Sequence, residues 1–188
     1  MRSGDGRRAR IALRPIEPAD QPFLLALYAS TREQELAPVP FTPEQKAAFL
    51  AQQFDAQSRH YAQLRDTTFD LVLVDGAPAG RLLVGRWERE LRIVDVALMP
   101  AFRGAGVGTR LLEPLIAEAE TRGVPTTIHV ERSNPAQRLY ARLGFAPVAD
   151  EGVYQRWERP PGGSGAGAGG EDAAAADAPA PGAASDGR

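Results

Sequence analysis

The stretch RGAGVGTRLL, residues 103–112, carries glycine at 104, 106 and 108, just after the apolar run IVDVALMP and just before a helical pattern. Glycine at the mouth of a helix lets another molecule approach the backbone and takes up φ angles that other residues avoid. The N–H groups of a first helical turn, at the positive end of the helix dipole, suit an anion such as phosphate. A simple strand-to-helix turn needs one glycine rather than three. Two phosphate motifs can be weighed directly. A Walker loop requires a lysine after its last glycine, and none follows here. A dinucleotide fingerprint, G-x-G-x-x-G, is met at Gly104 and Gly106, but Thr109 stands in its third place. Glu131 lies about 20 residues on, where such a fold carries an acid. The strands upstream read as antiparallel, which is not how a dinucleotide domain begins.

Outward from the glycines, LRIVDVALM (91–99) reads as a strand, followed by a helix to about Arg122 with a stop at Gly123. TTIHV (126–130) is the next strand. A strand–helix–strand crossover favours parallel pairing. Asn134 is a good helix cap and Pro135 a good first helical residue, with Ala136, Leu139, Tyr140 and Leu143 as the buried stripe and Gly144 as the end. FAPV and VYQRW form a closing strand pair. Toward the N-terminus, RIALRPI reads as a strand. ADQPFLLALYAS reads as a helix capped by Asp20, with Phe23, Leu24, Leu27 and Tyr28 on one face. TPEQ is a capping box with proline at the first helical position. It opens a long helix with Ala47, Leu50, Phe54, Tyr61 and Leu64 on its apolar face. FDLVLV and AGRLLVGRW flank DGAP as a hairpin. The expected class is α+β: a central mixed, mostly antiparallel sheet with one parallel-type crossover, flanked by about four helices. Pro114, inside the helix that follows the glycines, is the one discordant residue, predicting a kink or a cost of roughly 3 kcal/mol.

The chain has 188 residues and a net charge of −2, which gives no sign of nucleic-acid binding. It has no cysteine and two histidines, His60 and His129, which rules out disulfides, a thiolate nucleophile and a histidine-rich metal site. No run reaches the ~18 apolar residues of a membrane span. The basic N-terminus lacks the apolar run of a signal peptide, so a cytoplasmic location is expected. Residues 1–9 are expected to be flexible and 10–160 to form the domain. Residues 161–188, a Gly/Ala/Pro-rich acidic tail without a large apolar side chain, are expected to be disordered.

LMPAFRGAGVGTRLL resembles the acyl-CoA signature of the GNAT acyltransferase superfamily, with its R-x-x-G-x-G segment at Arg103, Gly106 and Gly108. IHVERSNPAQRLYARLGF is similar to that family's second signature: a strand, an asparagine, then a helix ending in L-Y-x-x-x-G-F. The order of elements agrees over about residues 10–158. The resemblance implies a GNAT-like fold and N-acetyl transfer from acetyl-CoA to a primary amine by direct attack, with no metal. It implies that Arg103, Gly104, Ala105, Gly106, Val107, Gly108 and Thr109 hold the pyrophosphate. It implies that backbone groups of Val96, Ala97 and Leu98, on a bulged strand, bind the pantetheine and polarise the thioester carbonyl. It gives Tyr140 the protonation of the departing thiolate, and core packing is the plain alternative for this residue. Asn134 either contacts the cofactor or only caps its helix. It lies six residues before Tyr140 where the family spacing is seven, so Ser133 competes for the same role.

Three residues compete as general base. His129 lies where some family members carry a glutamate, Asp95 is a polar residue inside an apolar strand, and Glu131 ends the strand of His129. The implied acceptor pocket draws on the first two helices and TREQELAPVPF between them, where Glu33 and Glu35 meet a cationic amine or are ordinary surface acids. The partners expected are acetyl-CoA and an amine acceptor, small molecule or protein, with no nucleic acid and no membrane. Monomer and homodimer both stay open. A catalytically silent acyl-CoA-binding module and a dinucleotide-binding protein are the alternatives from other classes.

Overall fold

The computed structural model describes residues 9–162. The expectations of a flexible N-terminus and a disordered acidic tail fall almost wholly outside these residues. Strands β1 (Ile11–Pro15), β2 (Thr67–Val74), β3 (Ala77–Arg86), β4 (Leu91–Leu98), β5 (Thr126–Glu131), β6 (Ala146–Glu151) and β7 (Tyr154–Arg159) form one sheet in the order β1-β2-β3-β4-β5-β7-β6. Every pairing is antiparallel except β4 with β5. Helices α1 (Gln21–Leu36) and α2 (Pro43–Tyr61) cover one face, and α3 (Val107–Arg122) and α4 (Gln137–Arg142) the other. The mixed α+β architecture read from the sequence is the one observed.

Local chemistry accounts for most boundaries. Asp75 and Gly76 have φ of 50° and 83°, the paired left-handed conformation of a tight hairpin turn. Thr42 and Gln45 make both bonds of the capping box that opens α2. Gly123, with φ 68°, ends α3. Burial divides by face. Leu82, Val84, Leu91, Ile93, Leu112, Ile128, Val130 and Trp157 form the core under α3 and α4, while Leu24, Leu27, Tyr28, Leu50, Phe54 and Leu71 form the one under α1 and α2. Each fully buried aliphatic chain contributes about 1.5–3 kcal/mol.

Three local expectations are corrected. Asp20 does not cap α1. Its carboxylate takes two bonds of 2.7 Å from the Arg14 guanidinium and one from the Glu17 amide, because a bidentate cation outcompetes a helix end. Residues 31–36, expected in a loop, continue α1 for more than another turn. On α2, Ala47 is exposed and Leu64 lies past the helix end. Pro114 lies within α3 on its exposed side, where the helix runs on without it donating to the Arg110 carbonyl. Among the described residues no helix is long and apolar enough to cross a membrane.

Candidate active site

The glycine loop is shaped for an anion. Gly104 and Gly106 both have φ of 75°, and a Cβ on either would meet nothing within 4 Å, so the space beside them is open. Among the described residues, no acceptor takes the backbone N–H of any residue from Gly104 to Thr109. The first bond into α3 runs from Arg110 N to Gly106 O at 3.2 Å. Six unpartnered amides at a helix N-terminus fit a pyrophosphate without any side-chain cation. A surface cavity of about 540 Å³, lined in part by Phe102, Gly106, Thr109 and Arg110, adjoins the loop.

β4 leads into this loop and parts from β5 on the way. The parallel ladder covers only Leu91–Ile93 against Thr126–Ile128, and β4 continues to Leu98 with no β5 partner. The Met99 amide donates to Ala79 O at 2.8 Å, and the Ala97 carbonyl faces Gly80, so these groups point toward β3. Backbone direction alternates along a strand. Val96 and Leu98 therefore present their main-chain groups to the opening, whereas Ala97, expected beside them, turns its own away. Arg103 donates from Nε to the Leu98 carbonyl at 2.8 Å and from Nη2 to Ser30 Oγ at 3.3 Å, tying the loop to the end of β4 and to α1.

A bulge sets which side chains flank the opening. Leu83 pairs with Asp95 and Val84 with Ile93, leaving Val94 as the extra residue. Past the bulge, Asp95 and Ala97 join Arg92 on the α1/α2 face, and Val96 and Leu98 stay on the α3/α4 face. Asp95 is in close contact with Arg81 Nε, and Arg81 Nη2 donates to Gln57 Oε1 on α2 at 2.7 Å. The Arg81 guanidinium also lies 5.6 Å from the centroid of the Tyr61 ring, whose buried hydroxyl has no partner among the described residues.

On the same face of β5, Nε2 of His129 lies 3.1 Å from Oε2 of Glu151 and hydrogen-bonds to it. Burial, with Arg92 and then Arg156 nearby, holds the imidazole below its usual pKa against the opposing pull of Glu151. Glu131 accepts from Tyr154 at 3.3 Å and from Arg32 at 3.5 Å. Arg32 in turn holds Glu35, while Glu33 is exposed. Burial first, then Glu131, raises the Tyr154 phenol to about 12.

Across the sheet, Tyr140 on α4 is 4% exposed and packs edge-on to Phe145 with centroids 6.1 Å apart. Burial first, and the nearby Asp95 carboxylate second, push its phenol pKa up. Its hydroxyl makes no hydrogen bond among the described residues. Asn134 Oδ1 accepts from the Ala136 amide at 2.8 Å, and α4 begins only at Gln137. The asparagine thus caps the turn leading into α4, and Pro135 stands before the helix rather than at its first position.

The structure draws in residues that sequence reasoning passed over: Arg81, Tyr61, Arg32, Tyr154 and Glu151. Arg81 had a signal, being a lone charge within the apolar run of its strand, as Asp95 is in the strand beside it. Tyr61, Tyr154 and Glu151 lie at helix or strand ends, where a polar residue is unremarked, and Arg32 lies within α1 in the stretch expected as a loop. Among the described residues no group of three or more His, Asp or Glu could hold a metal ion.

β4 thus splays from its parallel neighbour and leads its free edge into a helix start with open amides. The acetyltransferase (GNAT) family model matches residues 26–145, and the chain belongs to that family. It is 35% identical over 75 residues to the ribosomal protein bS18 alanine N-acetyltransferase of Haemophilus influenzae, covering 39% of this chain and 50% of that one. With the enzyme of the same name from Salmonella typhimurium it shares 47% over 58 residues, covering 30% of this chain and 39% of the relative. The chain thus spans about half or less of the length of the curated relatives it matches. Its fold is similar to that of the PaiA N-acetyltransferase from Thermoplasma acidophilum in complex with coenzyme A, with a TM-score of 0.61 and 16% identity over 80% of this chain and 99% of that one.

Proposed function

We propose that the chain is an N-acetyltransferase that moves an acetyl group from acetyl-CoA to a primary amine by direct attack within a ternary complex. The observation that carries this is the six unpartnered amides of Gly104–Thr109, set beside the free edge of β4. Acetyl-CoA supplies the acyl group as a thioester. The loop amides hold its pyrophosphate. The edge of β4 at Val96 and Leu98 aligns the pantetheine, and one of its N–H groups sits where it can draw charge onto the thioester oxygen. Holding amine and thioester together supplies the largest part of the acceleration.

Proton traffic falls to two side chains on opposite faces of the sheet. An acceptor ammonium loses two protons per turnover, one balanced at the CoA sulfur and one released. Tyr140, held protonated by its burial, is the donor to sulfur. His129, held neutral by burial and by Arg92, is the acceptor of the other. Asp95 is engaged by Arg81 and Glu131 by Arg32 and Tyr154, which favours His129 as the base. The acceptor approaches from the α1/α2 face, where these groups lie.

Thermal shift with acetyl-CoA, CoA and NAD tests the ligand, and thiol release against an amine panel tests the reaction. The panel includes a peptide with N-terminal alanine, the residue named for the curated relatives. Ligand at 100 times its Kd adds about 2.7 kcal/mol. Stabilisation by acetyl-CoA and CoA with thiol release on an amine is expected. Stabilisation by NAD alone overturns the reading, and acetyl-CoA binding without turnover on any amine points instead to a silent acyl-CoA module.

A further inference from the structure

Resting on the acid–base reading above, we propose that Glu151 is a positioning residue. It holds His129 as the Nε2–H tautomer and so makes Nδ1 the nitrogen that takes the acceptor's proton.

The fold brings the two side chains together through an irregularity of its own. On β7, Trp157 pairs with Pro147 of β6 and Arg156 with Ala149, so Val148 is an extra residue in β6. In regular register Asp150 would stand opposite Tyr154. The bulge puts Glu151 there, on the face that carries Arg156 and His129, while Asp150 contacts Arg132. A one-residue shift decides which acid reaches the imidazole. The contact crosses β7, from the end of β6 to the middle of β5, and closes at 3.1 Å between Nε2 and Oε2.

The chemistry follows from what each group can do. An ionised carboxylate only accepts, so the nitrogen facing it carries the hydrogen. A neutral imidazole has one N–H, which leaves a bare lone pair on Nδ1, and no described group donates to that atom. When the acceptor ammonium gives up a proton, its N–H bond breaks and an Nδ1–H bond forms. The positive charge moves to the ring, still bonded through Nε2–H to Glu151. That charge needs the support. The other charged groups facing His129 are Arg92 from β4 and Arg156 from β7, both cationic. Glu90 holds both, and Glu158 also holds Arg156. Glu151 is the acid that contacts the imidazole itself.

The test begins with ¹⁵N NMR of the histidine rings in the full, ligand-free chain. Two histidines are present, so His60→Gln assigns the signals. The wild type should show His129 protonated on Nε2 and titrating below the ordinary histidine range. In Glu151→Gln the side-chain oxygen still accepts from Nε2, so the tautomer should persist while the titration moves to lower pH. In Glu151→Ala the tautomer should become mixed as well. The acid limb of kcat/KM should shift to lower pH in Glu151→Gln. kcat should fall about 10-fold, a part of the ~10²–10⁴-fold that a general base supplies, with KM for acetyl-CoA and Tm unchanged. An unchanged tautomer and titration in Glu151→Ala overturn the proposal. If the NMR changes are as expected but His129→Ala keeps wild-type kcat, the pairing stands and the base reading falls, taking the catalytic role of Glu151 with it.

Discussion

A methyl group added at Gly108 would stand 2.9 Å from Cδ2 of Leu139, whereas one added at Gly104 or Gly106 would meet nothing within 4 Å. The three glycines of the signature therefore do different jobs. Gly104 and Gly106 supply positive φ and open backbone. Gly108, inside the first turn of α3, lets α4 pack close, which in turn sets the depth of Tyr140 one residue past Leu139.

This division predicts a contrast. Gly106→Ala forces a side chain into the left-handed region at a cost of roughly 1–2 kcal/mol, and it re-aims the amides proposed to hold the pyrophosphate. Acetyl-CoA affinity should drop at least 10-fold, and Gly106→Val should abolish it. Gly108→Ala gains helix propensity, about 0.8–1 kcal/mol, but must move the flexible end of Leu139. Its Tm should stay near wild type and so should its acetyl-CoA affinity. Calorimetry on the three variants checks this, and equal losses at Gly106 and Gly108 would contradict it.

Asp95 and Arg81 form a nearly buried pair, with side chains 21% and 8% exposed. Asp95→Asn keeps an oxygen that can accept from the guanidinium but removes the carboxylate charge paired with it, leaving a buried cation without its counter-charge. Breaking a buried pair costs about 3–5 kcal/mol, and the partial exposure of Asp95 favours the lower figure. At about 2–4 °C per kcal/mol for a domain of this size, Tm should fall by roughly 6–12 °C. A base at this position would show the opposite pattern, with lost kcat at unchanged Tm.

Asp20 gives a pH prediction. The Arg14 hydrogen bonds, then the Glu17 amide, hold its carboxyl at about 2, below the ordinary value of 3.8. The unfolded chain therefore takes up this proton at higher pH than the folded one. The stabilisation is complete above about pH 4 and is lost as pH falls through about 2. Asp20→Asn should be less stable than wild type at pH 6, and the gap should narrow toward pH 2. Urea midpoints at a series of pH values measure it, and a gap that is constant with pH would show that Asp20 contributes no titrating pair.

The sequence carried the fold because its punctuation is local. The Asp75–Gly76 turn, the Thr42 capping box and Gly123 each act within a few residues, and the alternation of apolar residues assigns both sheet faces. The open glycine loop was legible for the same reason, since its free N–H groups are consecutive amides. What was not legible depends on register or on competition between partners. The resemblance implies a bulge in β4, but nothing in the residues marks its position at Val94 or the bulge at Val148, and both change which side chain faces which. Asp20 looks like a cap and is claimed by Arg14, six residues earlier. Whether Asp95, His129 or Glu131 is free to take a proton depends on Arg81, Glu151, Arg32 and Tyr154, drawn from four different elements.

Tyr140→Phe tests the mechanism rather than the fold. The ring is 4% exposed and packs on Phe145, contacts that phenylalanine keeps. The hydroxyl has no hydrogen-bond partner among the described residues, so its removal orphans none, and the loss of about 1–3 kcal/mol that follows an unpaired buried group should not occur. Tm should therefore match wild type. Burial and the Asp95 carboxylate raise the phenol's pKa, keeping it protonated through the neutral range. This makes it a competent donor to a thiolate, whose own pKa is lower. General acid catalysis supplies ~10²–10⁴-fold. A thiolate leaves well without help, so a decrease in kcat of about 10²-fold is expected, with acetyl-CoA affinity nearly unchanged. Both readings of Tyr140 expect the fold to survive, so kcat decides between them. A variant with wild-type kcat would leave Tyr140 as a core residue, and the proton on the CoA sulfur would have to come from solvent.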